Sequence, residues 1–424
     1  MNGAAPFQDT VEFAHAADAA DPLARWRGAF ALPLAADGSP AVYLCGHSLG
    51  LAPRAARARV LEELEDWERL GVLGHERAHR PWIGYAGQLR DDLAPLAGAR
   101  PQEVVAMNSL SINLHLLLAA FYRPSRGRDR IVIEAGAFSS DRHVVASQIR
   151  WHGLDPAACL VEIAARGADG TIDPAALDTV LASQGERIAL VLWPGVQYLT
   201  GQAFDLAHVT RAAHAVGALA GFDLAHAIGN LPLALHADGA DFAAWCSYKY
   251  LNGGPGAIGG AFVHERHATR TDLTRLEGWW GHEAATRFRM PPAFVPGRGA
   301  DAWQVSNPPI LSAAPLLAAL AMFRAAGIEA LRAKSRRLTG WLEFLLQRRC
   351  GAALRVITPP ERGCQLSLRL VDPARARASF DALAAGGVIA DWREPDTIRV
   401  APVPLYNSFH DVWHAALALE RACR

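Results

Sequence analysis

Apolar and polar positions along the first three quarters of the chain follow two periods. Short apolar, often β-branched runs, IVIE (131–134), CLVEI (159–163), RIALVLW (187–193), ALAGFD (218–223) and DFAAWCS (241–247), read as buried strands. Between and before them, 109–122, 139–151, 174–183 and 205–216 carry apolar residues at helical spacing. Strand–helix alternation of this kind predicts an α/β fold, a mainly parallel sheet with helices on both faces. Upstream, RAARARVLEELEDWERL (54–70) sets Val60, Leu61, Leu64, Trp67 and Leu70 on one face of an amphipathic helix.

The pattern changes near residue 305. A long Ala/Leu-rich helical region (311–347) precedes strand candidates at 364–370 and 397–401 and helices at 375–385 and 409–422. This predicts a smaller α+β C-terminal domain, 306–424, beside a large α/β domain, 71–305. The N-terminal segment, 1–70, is expected to pack with the smaller one. Segment 281–301, with Arg287, Arg289, Arg298 and two adjacent prolines, reads as a long exposed loop of the kind that often carries function.

Composition narrows the classes. Of 424 residues, 51% are hydrophobic and 20% charged, which excludes a disordered chain. Lys plus Arg number 42, as do Asp plus Glu, so the basic excess of a nucleic-acid or anionic-membrane binder is missing. Six scattered cysteines, with no CxxC pair, argue against a disulfide framework or a zinc cluster. Met1 to Thr10 shows no signal-peptide pattern, and the apolar stretch 310–323, which contains Pro315, is shorter than the ~20 residues of a membrane span. A cytoplasmic protein is expected.

The chemistry starts with Asp223-Leu-Ala-His226, which closes an apolar strand. An acid at the carboxyl end of a parallel strand sits where α/β folds bind ligands, although a lone Asp there is more often a helix cap. Ser247-Tyr248-Lys249 again lies just past a strand, about one strand–helix–strand step later. Two strand ends can thus bring an acid and a lysine to one crevice. A lysine leaving an apolar strand is desolvated, which favours the neutral amine that forms a Schiff base. Pyridoxal phosphate chemistry needs that lysine, a carboxylate for the pyridine nitrogen, a phosphate site and a residue on the ring face. Asn108-Ser-Leu-Ser111 opens a helical run and offers free backbone N–H groups, though alone it is a plain Ser cap. Phe138 follows a strand and can stack on the ring, and the Tyr248 hydroxyl can reach the phosphate; core packing is the plain reading of each.

Other motifs fall away. Gly254-Pro-Gly-Ala-Ile-Gly259 matches GxGxxG, but a strand-like run follows it where a dinucleotide site needs a helix. Those glycines are expected to let the backbone turn closely beneath Lys249. No HExxH occurs, His75/His79 lack a third ligand, and Gly46-His-Ser-Leu-Gly50 has the wrong spacing for a nucleophile elbow.

Taken in order, YLCGHSLGL (43–51), GHERAHRPW (74–82), MNSLSINLHLLL (107–118), FSSD (138–141), PGVQYLTGQ (194–202), GFDLAHAIGN (221–230), WCSYKYLNGGPG (245–256), GWWGHE (278–283), SNPPI (306–310) and IRVAPVPLYNSFHD (398–411) resemble the kynureninase family from about residue 40 onward. The resemblance implies a fold-type-I pyridoxal 5'-phosphate enzyme, a homodimer with active sites at its interface, hydrolysing L-kynurenine or 3-hydroxykynurenine to the anthranilate and L-alanine. It makes Lys249 the lysine that carries the cofactor and Asp223 the partner of the pyridine nitrogen. Leu110, Ser111, Phe138, Ser139, Ser140, Asp141, His226 and Tyr248 match cofactor-contacting positions, and Trp279 and Asn307 match positions supplied across the interface. Arg399 matches the arginine that grips the substrate α-carboxylate, a role suited to its fork geometry. His75, Asn307 and His47 fall in the substrate pocket, and Tyr248 is the candidate for late proton delivery. The family's first block commonly reads GNSLGL, so His47 replaces an Asn; Ser111 replaces a more usual Thr and keeps the hydroxyl; no contact is assigned to Pro194. A cysteine desulfurase of the same fold would need a mobile loop cysteine, and Cys350 and Cys364, at a helix end and a strand start, do not fit that role. A non-catalytic relative would be free to lose Lys249, Asp223 or Arg399, and all three are present.

Overall fold

A computed structural model describes residues 6–167, 169–270 and 273–423; the first five residues of the Met1–Thr10 stretch lie outside it. Seven strands form the central sheet, in the order Val104–Ala106, Gly260–Val263, Phe242–Trp245, Leu219–Asp223, Ile188–Pro194, Arg130–Glu134, Leu160–Ile163. All pairings are parallel except those of Gly260–Val263, antiparallel to both neighbours. Each of the five strands read from apolar runs is present within one or two residues of its expected limits. They are buried along almost their whole length, as strands covered on both faces must be.

The helices flanking the sheet also match: Leu110–Phe121, Ser139–Trp151, Pro174–Gln184 and Leu206–Ala215. Three start at side chains suited to capping, with Asp173 and Asp205 accepting from backbone N–H groups and Ser109 standing at the third N-terminus.

Two expectations change. The helical region 311–347 is two helices, Ile310–Ala326 and Ile328–Arg349, bent by 84° at Gly327, whose φ of +78° favours glycine. Ala313, Leu316, Leu320 and Phe323 of the first helix belong to the core of the large sheet, as do Leu331, Cys364 and Tyr406 farther along, so both cores draw on the chain beyond residue 305. The second correction concerns Arg54–Leu70. The helix forms, but its apolar face is only partly covered: Val60 packs on the large core, while Trp67 is 60% and Leu61 43% exposed, and Glu63 and Asp66 are buried. Glu63 accepts from Tyr85 Oη and Trp82 Nε1, both at 2.8 Å, and Asp66 accepts from His79 N. These hydrogen bonds are what make burial of two carboxylates tolerable.

The smaller core surrounds a four-stranded antiparallel sheet in the order Asp391–Arg393, Thr397–Val400, Leu366–Leu370, Leu354–Val356, covered by Ile328–Arg349, Ala376–Ala385 and Phe409–Cys423. The N-terminal helix Val11–Ala19 packs on Phe409–Cys423, and the Asp18 carboxylate accepts from the backbone N–H groups of Phe409 and His410. Val42–Tyr43 pairs in parallel with Val388–Ile389, which ties the segment before the large sheet to the smaller unit.

Candidate active site

Adjacent parallel strands place Pro194 and Asp223 side by side at their carboxyl ends, and Glu134 ends the next strand over. Above them lies a cavity of about 270 Å³. Of the expected cofactor residues, Leu110, Ser111, Phe138, Ser140, Asp141, Asp223, His226, Tyr248 and Lys249 line it. Ser139 opens its helix and is not among the lining residues.

Two helix N-termini meet at this cavity. Leu110–Phe121 presents Ser111, whose hydroxyl lies 2.6 Å from that of Ser140 on Ser139–Trp151. Paired hydroxyls, with the free N–H groups and dipoles of two helices behind them, make an anion site. Lys249 Nζ stands 5.9 Å from the centroid of the Phe138 ring and 6.0 Å from that of Tyr248. The close approach under Lys249 comes from Gly50 and not from the GxGxxG run: a Cβ on Gly50 would meet the Lys249 carbonyl oxygen at 2.3 Å. Gly254 and Gly256 are instead needed for positive φ in the turn that leads into strand Gly260–Val263.

Electrostatics separate the acids. Burial, then the charge of neighbouring Asp223, holds the Asp141 carboxyl well above the usual carboxylate range. Burial raises Glu134 to about 8. His226 is held far below its ordinary value by burial and by the charges of Lys249 and Arg399, so its ring is neutral. Burial also pushes the Tyr248 phenol up. Asp223 Oδ1 accepts from Ala225 N at 2.6 Å.

The remaining expected residues lie elsewhere. Arg399 is fully buried behind the cavity: Nε donates to Asp391 Oδ2 at 2.6 Å and NH1 to the Tyr198 carbonyl at 2.6 Å. His47 is also fully buried, with Nε2 3.7 Å from Asp391 Oδ2; burial and Arg399 lower its pKa to about 3. Burial favours protonation of Asp391, but His47 and Arg399 outweigh it and hold the carboxyl low. His75, Trp279 and Asn307 line a separate cavity of about 360 Å³ with Val72, Leu73, Ile83 and Phe288. The structure thus brings them to one another and not to Lys249. Glu134, Tyr198 and Asp391 were missed by the sequence reading. Glu134 carried a usable signal, since it ends the IVIE run as Asp223 ends ALAGFD; Tyr198 carried none beyond its motif block, and Asp391, outside every block, carried none.

Comparison with known proteins bears on this geometry. Residues 42–372 match the aminotransferase class-V family model and 331–419 the kynureninase C-terminal domain. A kynureninase from Xanthomonas euvesicatoria pv. vesicatoria is 58% identical, over 95% of this chain and 96% of that protein. One from Xanthomonas oryzae pv. oryzae is 59% identical over the same shares. The chain belongs to the kynureninase family. Solved structures share its fold at low identity. A C-DES variant with glycine covalently linked to its PLP cofactor gives a TM-score of 0.77 at 18% identity, over 90% of this chain and 96% of that one. The cysteine desulfurase CsdA from Escherichia coli gives 0.73 at 19%, over 94% and 98%. As a kynureninase-family enzyme of fold type I, the chain uses pyridoxal phosphate.

The residues present fit that cofactor. Asp141 Oδ1 and His226 Nδ1 border the cavity, buried and without a hydrogen-bond partner, which is costly unless a ligand supplies one. The hydroxyl pair at the helix N-termini fits a phosphate, and Phe138 offers a ring face opposite Lys249.

Proposed function

We propose that this enzyme hydrolyses L-kynurenine, 3-hydroxy-L-kynurenine or both to anthranilate or 3-hydroxyanthranilate and L-alanine, as a step of tryptophan catabolism. The observation that carries this reading is the cavity that joins Lys249, Asp223 and the unpartnered Asp141 and His226 in a chain aligned over 95% of its length with kynureninases. When bound, pyridoxal phosphate supplies the electron sink that lets bonds at the substrate α- and β-carbons break.

The roles of the side chains follow from their placement. Ser111, Ser140 and the two helix N-termini hold the phosphate; Leu110 and Ser139 belong to the same turns. Asp223, with Asp141 beside it, would keep a proton on the pyridine nitrogen, because a buried carboxylate favours a paired cation. Phe138 would cover one face of the ring, and neutral His226 would donate or accept at its edge. Lys249 would carry the cofactor and, once freed, would take the α-proton. Tyr248, held protonated by burial, delivers a proton in the later steps. Arg399 grips the α-carboxylate, with His47 beside it.

A homodimer completes the site. Trp67, Leu61, Val72, Leu73, Ile83, Trp279, Phe288 and Leu311 are exposed apolar side chains around two neighbouring cavities, one lined by Trp67, Trp82, Ile310 and Leu311 and the other by Trp279 and Asn307. So much exposed apolar surface favours burial against a second copy. Trp279, Asn307 and the substrate-pocket His75 would then serve the partner's cavity. A cytoplasmic location belongs to the same reading: no single described helix is long and apolar enough to cross a membrane, and all six cysteines are free. Against a desulfurase, Cys350 and Cys364 are both buried, and burial raises Cys364 to about 12.

The test is anthranilate fluorescence from purified protein given pyridoxal phosphate, with L-kynurenine and 3-hydroxykynurenine assayed in parallel. Turnover of either supports the reading and gives the preference. Turnover of neither by cofactor-loaded protein would replace it with a sister lyase of the same fold.

A further inference from the structure

Arg399 does not reach the cavity on its own. Tyr198, which lines the cavity and belongs to the hairpin after strand Ile188–Pro194, links the two. The Tyr198 carbonyl accepts from Arg399 NH1 at 2.6 Å and from Gln365 Nε2 at 3.0 Å. Its ring packs edge-on against Phe138, with centroids 5.1 Å apart, and the Arg399 guanidinium lies 6.0 Å from the same ring. One residue therefore touches both the stacking side chain and the carboxylate-binding arginine. Among the described residues its phenol hydroxyl has no hydrogen-bond partner.

We infer that Tyr198 is a specificity-determining residue for the substrate α-carboxylate: its carbonyl fixes the Arg399 fork, and its hydroxyl adds a second donor to the carboxylate that enters between Arg399 and Phe138. Arg399 commits Nε and NH2 to Asp391 and one N–H of NH1 to the Tyr198 carbonyl, so three of its five donors are held inside the protein before any ligand arrives. A second donor on the cavity side adds to the N–H groups that remain. A tyrosine suits the place because its ring excludes water from the ion pair while its hydroxyl stays able to donate. The inference rests on the assignment of Arg399 made above.

The experiment uses the holoenzyme and two readouts: steady-state kinetics with L-kynurenine, and binding of L-alanine or L-alaninamide followed by the cofactor's visible absorbance. A hydrogen bond to a charged group, lost on Tyr198→Phe, should raise KM for kynurenine and Kd for alanine roughly tenfold. Because the contact exists equally before and in the transition state, kcat should stay within about twofold. Alaninamide binding and cofactor affinity should not move. Tyr198→Leu, which also removes the ring from the guanidinium, should raise both constants further. An unchanged Kd for alanine in Tyr198→Phe overturns the inference, as does a fall in kcat at constant KM or a loss of cofactor affinity. Wild-type protein that binds alanine and its amide equally would instead overturn the assignment of Arg399. Wild-type protein that prefers alanine without hydrolysing kynurenine would remove the proposed reaction and leave the Tyr198 test intact.

Discussion

Asp223 and Asp241 stand at opposite ends of neighbouring parallel strands, both buried, and they are treated in opposite ways. Asp241, just before Phe242–Trp245, is saturated: Oδ2 accepts from Ala220 N at 2.7 Å and His214 Nε2 at 2.8 Å, and Oδ1 from His267 Nε2 at 2.8 Å and from Arg266. Burial alone would raise its pKa, but the partners His214, His267 and Arg266 overcome that and hold it far below the usual range. Asp223, with Asp141 and Glu134 around it, forms a cluster of acids with hydrogen-bonding capacity left over and two members shifted upward. A saturated buried charge holds the fold together. An unsaturated one waits for a ligand, and the fold carries its cost.

The contrast breaks most sharply on the ligand side. Lys249→Ala should fold, as judged by an unchanged far-ultraviolet spectrum. It should lose the visible absorbance of lysine-bound cofactor and drop below about a thousandth of wild-type kcat. Retained visible absorbance in that variant would remove Lys249 from its role. The structural end should respond in the other currency. Asp241→Asn leaves Arg266 and two histidines facing a neutral amide, and breaking a buried ion pair costs roughly 3–5 kcal/mol. Denaturant unfolding should show that loss, while kcat per folded, cofactor-loaded molecule stays near wild type. A fall in kcat without a fall in stability would put Asp241 in the catalytic machinery.

How much of this contrast was legible in the chain depends on period and reach. The strands are continuous apolar runs buried on both faces, so their ends, and with them Asp223 and Lys249, could be placed from the pattern. Phe138 and Ser111 followed because each sits at a strand or helix end. The face of Arg54–Leu70 misled, since an apolar stripe reads the same whether it meets the chain's own core or remains exposed. Gly327 breaks a run whose composition is helical throughout. The Arg399–Asp391–Tyr198 set joins residues up to 201 positions apart and leaves no local trace.

Glu134 sharpens the comparison by its sign. Its folded pKa, about 8, lies above the unfolded carboxylate value, so the folded state binds the extra proton between them. Stability from this group is complete below the unfolded value and is lost as pH rises towards 8, the reverse of Asp241, whose contribution is lost as pH falls. Glu134→Gln removes the titration and keeps the shape. Relative to wild type, the variant should gain stability between pH 5 and pH 8, on the order of a few kcal/mol. Parallel stability–pH curves for the two proteins would show that Glu134 is ionised throughout.

The smallest effect is expected at His47, where this chain departs from the more usual Asn. With a folded pKa of about 3, set by burial and the Arg399 charge, the ring is neutral across the working range. A lowered histidine pKa means that protonation favours the unfolded chain, so its penalty appears only as pH falls below about 6.5. His47→Asn exchanges one neutral side chain for another beside Asp391. The pH profile of kcat/KM should therefore keep both limbs in place above pH 6.5, with kcat/KM changed by less than about 1 kcal/mol in transition-state terms. Below that pH the variant should lose less stability than wild type. A limb that moves between pH 6.5 and 9 would show that His47 is charged in the working enzyme, and the acid beside Arg399 would then be paired on both sides, as Asp241 is.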